Sequence, residues 1–166
     1  MRPRHFVDLF NYFMGRTPAR VFAAAQDFMG RGLEDASLLS LEYKNNGGVT
    51  WATVETNYFL PGKFREVTVI GSKLSAVCDY NVAQYKIKTF ANRHVKEGDE
   101  FKAVEGTLHQ VESPPEEPLL AELRAFVDSV QTRKAPRAGG AAGVDSVRVL
   151  EAALESAMTG RRVKLE

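Results

Sequence analysis

The stretch ASLLSLEYK (36–44), NNGG (45–48), VTWATVETNYF (49–59) decides how the rest of the chain is read. Leu39, Leu41 and Tyr43 alternate with Ser40 and Glu42, the two-residue period of a strand with one buried face. The Asn-Asn-Gly-Gly that follows supplies residues tolerant of positive φ, as a tight hairpin demands. Val49 to Phe59 is therefore expected to return as a second strand. On it Trp51, Thr53, Glu55, Asn57 and Phe59 alternate with Thr50, Ala52, Val54, Thr56 and Tyr58, so neither face is cleanly apolar. A half-solvated sheet, a subunit interface and a ligand wall all suit such a mixture.

On the N-terminal side of this hairpin, Phe6, Leu9, Phe10, Phe13 and Met14 fall three and four apart, the spacing of a helix with one buried face that ends at Gly15. Thr17-Pro18 then leads into a strand over Val21 to Phe28, and Gly30-Arg31-Gly32 reads as a mobile loop. On the C-terminal side, further strands are expected over Arg65–Ile70, Leu74–Tyr80, Ala83–Phe90 and, more weakly, Ala103–Val111, with Lys96–Glu100 as a charged loop. The run Pro114-Pro115-Glu116-Glu117-Pro118 changes the regime. Leu119, Leu123, Phe126 and Val130 follow it at helical spacing, with acids placed to favour the positive end of the dipole. After a Pro/Gly/Ala loop over 133–143, Asp145 is expected to cap a last helix that carries Val147, Leu150, Leu154 and Met158 and ends at Gly160. Val163 to Leu165 closes the chain as a short strand. The order predicts an α+β fold: a mostly antiparallel or mixed sheet with helices packed on one face, formed by residues 1–166 as a single domain.

The chain has 166 residues, of which 44% are hydrophobic and 26% charged, as in ordinary globular proteins. Twenty-two basic and 21 acidic side chains nearly cancel, so no field gathers nucleic acid or anionic membrane. The single cysteine, Cys78, excludes an internal disulfide framework and thiolate metal clusters, and reads as a buried inert thiol. No apolar run reaches the roughly 18–20 residues of a membrane span, and the N-terminus lacks the apolar core of a signal peptide. A cytoplasmic protein is expected.

Few residues suggest chemistry. Ala138-Gly139-Gly140-Ala141-Ala142-Gly143 precedes a helix but follows another helix and lacks the first glycine of a dinucleotide fingerprint, so it reads as a helix–helix loop. His94 and His109 have no ligand-type spacing, and Arg161, Arg162 and Lys164 read as a solvated helix end. His5 and Asp8, at i and i+3, can share one side of the first turn. They are either a helix start or an imidazole oriented by a carboxylate for general acid–base work.

Several stretches together resemble the C-terminal domain of the Gfo/Idh/MocA family of NAD(P)-dependent oxidoreductases, which act mainly on sugars, polyols and related metabolites. His5-Phe6-Val7-Asp8-Leu9-Phe10 looks like the family's G-x-H-x-x-D helix. Glu34–Ser37, Glu55–Tyr58, Pro61 and Arg65–Gly71 look like its strand and loop segments. Glu117-Pro118-Leu119 with Glu122, Leu123 and Phe126 resembles its E-P-L-x-x-E-L-x-x-F helix, and Val149–Ser156 with Gly160, Arg161 and Val163 its closing helix and strand.

The resemblance implies that the sheet's open face forms a subunit interface, making a homodimer. It also makes His5 the candidate proton donor or acceptor, Asp8 its support, and Asn57, Tyr58 and Arg65 candidates for substrate binding. The family's Rossmann domain, glycine fingerprint and E-K-P lysine have no counterpart in these residues, and its D-x-x-x-H acid would fall at Met1. The expectation is a substrate-binding and dimerisation domain that is inactive alone and holds no cofactor itself, with NAD(P) supplied through a Rossmann domain on the same polypeptide or on a separate subunit. The alternative is a stand-alone oligomeric binding or assembly module that has lost catalysis.

Overall fold

A computed structural model describes residues 4–82, 86–104, 106–112, 116–136 and 138–165. In chain order the elements are α1 (Arg4–Met14), β1 (Arg20–Gln26), β2 (Ala36–Asn45), β3 (Gly48–Asn57), β4 (Glu66–Ile70), β5 (Leu74–Asp79), β6 (Ile87–Ala91), β7 (Arg93–Glu97), β8 (Glu100–Val104), β9 (Leu108–Val111), α2 (Pro118–Thr132), α3 (Gly140–Thr159) and β10 (Val163–Lys164). They divide into two compact units, residues 1–59 with 125–166, and residues 60–124.

The first unit is built on an antiparallel sheet in the order β10-β1-β2-β3. The central hairpin pairs Leu41 with Ala52 and Leu39 with Val54, and closes at Asn45 and Gly48. Gly48 has φ 145°, which a side chain would strain. Val21, Ala23, Leu39, Leu41, Tyr43, Ala52 and Val54 alternate onto one face, where Val7 of α1 and Val149, Ala152 and Ala153 of α3 cover them. Val7, Val21, Leu41 and Val149 are fully buried, each worth about 1.5–3 kcal/mol of transfer free energy. The two helices on one face of an antiparallel sheet make the fold α+β, as expected.

Helix α1 departs in detail from its sequence reading. Its buried line runs through Val7, flanked by Phe6, Phe10 and Met14, whereas Phe13 is exposed beside Tyr12. The stripe is narrow because α1 sits at the margin of the sheet beside α3, and only the side turned toward both is covered. Gly15, at φ 62°, ends the helix as expected, with its amide donating to the Tyr12 carbonyl at 3.3 Å.

Helix α3 begins earlier than predicted. Its N-cap is Gly139, with no side-chain cap, so Asp145 lies inside the helix and the 133–143 loop is shorter than expected. The alanines at 141 and 142 propagate a helix without a polar cap, and the Gly143 amide already bonds the Gly139 carbonyl. Gly160, at φ 66°, closes it as expected.

The second unit carries a four-stranded antiparallel sheet, β4-β5-β6-β9, and the separate hairpin β7-β8. The charged loop expected over Lys96–Glu100 narrows to a turn at Gly98 (φ 64°) and Asp99, and its ends belong to the paired strands of a hairpin that the sequence did not predict. The single strand expected over Ala103–Val111 belongs to two strands in different sheets, β8 and β9. Both hairpin strands are largely exposed, so no buried face stamps a two-residue period on their sequence. The strand expected from Ala83 begins at Ile87, and residues 83–85 lie outside those described.

Helix α2 begins where the Pro/Glu run predicts, with the Glu117 carboxylate accepting from the Leu120 amide at 2.7 Å. None of its residues is buried, and its apolar stripe through Leu119, Leu123, Phe126 and Val130 is exposed.

Candidate functional site

The first turn of α1 presents His5 and Asp8 at its surface, and both are exposed. No hydrogen bond joins the two side chains. Asp8 Oδ1 instead accepts from the hydroxyl of Ser146 on α3, at a long 3.5 Å. The contact fastens α1 to α3 and leaves the imidazole of His5 open to an incoming group. An exposed imidazole at a helix start can accept or donate a proton, but its orientation here does not come from Asp8.

Asn57 and Tyr58 stand at the other landmark, the exit of β3. The Asn57 side chain accepts from the Phe59 amide at 3.1 Å and donates to Glu55 at 3.4 Å, so its amide group shapes the turn. Tyr58 is exposed, with the Arg31 guanidinium 5.6 Å from its ring centroid, a cation–π distance. Arg65 lies in the second unit, where its carbonyl accepts from the Tyr80 amide at 2.8 Å and its side chain is exposed.

The residue that organises the Tyr58 end is Asp35, which sequence reasoning did not single out. It is 2% exposed, and its carboxylate accepts the amides of Phe28 at 3.0 Å and Met29 at 2.8 Å. Its carbonyl accepts the Tyr58 amide at 3.0 Å. Asp27 accepts the amides of Arg31 and Gly32 in the same way, and these bonds hold its carboxyl below the usual range. The loop read as mobile is thus a pair of aspartate-anchored turns. An acid on each flank of a Gly-x-Gly was the available signal.

The uncovered face of the first sheet carries Arg20, Phe22, Leu38, Glu42 and Trp51. Glu42 is buried there against Arg20, at 3.1 Å. Arg162, read as part of a solvated helix end, instead places its guanidinium 5.6 Å from the Trp51 ring centroid. Phe22, Leu38 and Trp51 are 38%, 49% and 54% exposed, an apolar surface rimmed by charge.

Elsewhere, Cys78 is half-buried rather than fully buried, and burial pushes its thiol up. His94 and His109 are exposed, as expected. Among the described residues no cluster of three or more metal-ligating side chains exists, and no helix is long and apolar enough to cross a membrane. The glycine-rich 138–143 segment does not fit a dinucleotide: Gly140 and Gly143 are inside α3, and no strand leads into it.

A family model described as "Oxidoreductase family, C-terminal alpha/beta domain" matches residues 4–165. The chain belongs to the Gfo/Idh/MocA oxidoreductase family, and what it spans is that family's C-terminal domain. Among solved structures it is similar to aldose-aldose oxidoreductase from Caulobacter crescentus complexed with glycerol, at 22% identity and TM-score 0.71, over 98% of this chain and 45% of that one. It is also similar to the WlbA dehydrogenase from Bordetella pertussis in complex with NADH and UDP-GlcNAcA, at 20% identity and TM-score 0.66, over 99% of this chain and 43% of that one. An oxidoreductase from Agrobacterium radiobacter in complex with NAD+, L-tartaric acid and magnesium matches at 17% identity and TM-score 0.68, over 99% and 48%. The chain therefore spans about half the length of the structures it matches. No curated protein matches it significantly.

Proposed function

We propose that residues 1–166 act as one substrate-binding and dimerisation domain of a sugar- or polyol-type NAD(P)-dependent oxidoreductase, and that they are inactive alone. The observation that carries this reading is the family match over residues 4–165, which begins at the helix bearing His5. In this reading the exposed His5 exchanges a proton with the substrate oxygen, and Asp8 supports it by holding α1 against α3 through Ser146. Asn57 and Tyr58 contact the substrate from the first unit, and Arg65 of the second unit is a candidate contact on its sequence resemblance alone. Since the described residues offer no dinucleotide cradle, the nucleotide is held by a Rossmann domain outside them, on the same polypeptide or on a separate subunit, in the cytoplasm. The uncovered sheet face, with Phe22, Leu38 and Trp51, meets a second copy.

Calorimetry with a panel of sugars and polyols, with and without NAD(P)H, tests the reading together with turnover assays. The expected result is sugar binding without turnover by this chain, and turnover once the nucleotide-binding domain is supplied. Cofactor-dependent turnover by the 166-residue chain alone would overturn it. Sugar binding that stays without turnover when a nucleotide-binding domain is present favours the second reading, a binding or assembly module. The engagement of Asp8 by Ser146 rather than His5 is the observation on that side.

A further inference from the structure

A cavity of about 330 Å³ lies in the first unit between the sheet and the C-terminal half of α3. Its floor is alkyl: Ala25 and Leu39 from the strands, Leu150, Ala153 and Ala157 from the helix. The space exists because alanines stand where larger side chains would close the gap between sheet and helix. An alkyl-lined cavity of about 150 Å³ already admits benzene, so this one has room for a six-carbon ring with a short substituent.

The polar lining is confined to five residues, Glu34, Asp35, Ser37, Thr56 and Tyr58. Ser37 and Thr56 share a hydroxyl–hydroxyl hydrogen bond of 2.8 Å, which leaves one of their protons and several lone pairs for a guest. Glu34, exposed, and Asp35, buried with its two carboxylate oxygens on the Phe28 and Met29 amides, are among the lining residues, and no lysine, arginine or histidine is. The guanidinium of Arg31 lies 5.6 Å from the ring centroid of Tyr58, itself a lining residue. The site thus offers mostly acceptors, with the Tyr58 hydroxyl and one proton of the Ser37–Thr56 pair as its donors, around an alkyl floor.

We infer that this cavity is a binding site for a compact aliphatic or alicyclic molecule carrying a hydrogen-bond-donating head, an ammonium best and a hydroxyl next, and that it discriminates against carboxylates. The alkyl body fills the space over Ala25, Ala153 and Ala157. The head meets the acceptors of Glu34, Ser37 and Thr56. Neither His5 nor a nucleotide takes part, so the site stands whether or not the chain serves an oxidoreductase.

The test is an NMR titration of the 166-residue chain with cyclohexylmethylamine, cyclohexylmethanol and cyclohexanecarboxylate. The expected result is shifts at the amides of Ala25, Ser37, Thr56 and Ala157, with the amine binding about tenfold or more tighter than the carboxylate, the scale of one charge-assisted hydrogen bond. Ala157→Leu fills the cavity and is expected to weaken the amine about tenfold while the chain stays folded. Glu34→Gln, at an exposed position, is expected to leave the fold intact and to erase the advantage of amine over alcohol. The proposal fails if none of the three binds, if the carboxylate binds as well as the amine, or if neither variant changes the affinity.

Discussion

The backbone amide of Ala23 donates to the hydroxyl of Ser156 at 3.0 Å, across 133 residues of sequence. The same hydroxyl donates to the Arg161 carbonyl at 2.5 Å. Strand β10 pairs with β1 only at Arg20 and Val21, so Ala23 is an amide on a sheet edge with no strand to accept it. Ser156, fully buried, closes both the sheet edge and the turn after α3. Ser156→Ala would strand a buried donor and is expected to cost about 1–3 kcal/mol, read as a lower urea midpoint at unchanged slope.

Asp35 anchors the 27–35 loop to the exit of β3 by accepting the Phe28, Met29 and Tyr58 amides. Asp35→Ala removes the two carboxylate bonds and is expected to cost about 2–4 kcal/mol. Hydrogen exchange separates this from general destabilisation: the Phe28 and Met29 amides should lose protection before those of β2.

Tyr43 is buried in the core, its hydroxyl donating to Asn11 at 2.9 Å. Burial pushes its phenol well above its ordinary value. The folded state therefore keeps a proton that the unfolded chain releases above pH of about 10, and stability falls as pH rises past that point. Tyr43→Phe should cost about 1 kcal/mol at pH 7 and flatten the alkaline decline, measured by urea unfolding from pH 8 to 11.

If the uncovered sheet face joins two copies, a charge at its centre separates them. Leu38→Asp is expected to raise the dimer dissociation constant about 30-fold or more, the effect of a lost interface anchor worth about 2 kcal/mol. Light scattering across a dilution series reads it. Ile70→Asp, at an exposed apolar position of β4 in the other unit, is the control and should leave the mass unchanged.

In the assembled oxidoreductase, His5→Ala should lower kcat/KM by about 10²–10⁴, the range for a lost general acid or base. Asp8→Asn, which can still accept from Ser146, should cost far less. An equal loss from both would mean that the carboxylate takes part in the chemistry directly.

Much of the first unit was legible in order along the chain. The hairpin turning at 45–48 and the helix ends at Gly15 and Gly160 are local matters, set by alternation and by the φ angles that glycine tolerates. Where burial was weak, legibility failed: β7 and β8 have no covered face and left no periodic trace. The candidate site was half visible. His5 could be named from its residue type and place, but Asp35, Arg162 and Ser156 act through partners distant in sequence or through backbone amides.

The sequence by itself determined the order and type of the elements of the first unit, because hydrophobic period and turn chemistry are short-range, but not which helix faces pack. Helix α1 is buried through Val7 while Phe13 is exposed, and α3 through Val149, Ala152 and Ala153 while Val147, Leu154 and Met158 of its expected stripe are exposed. The sequence also carried the resemblance to the family that matches residues 4–165. Only the tertiary structure decided what the polar residues do. Asp8 meets Ser146 rather than His5, Arg162 lies over Trp51, and a run of alanines leaves a cavity beside α3. Those outcomes depend on which strands and helices meet in three dimensions, and no local spacing encodes that. The helix that opens with His5 is fixed by its own apolar stripe, while the use of that histidine depends on groups brought to it from elsewhere in the fold.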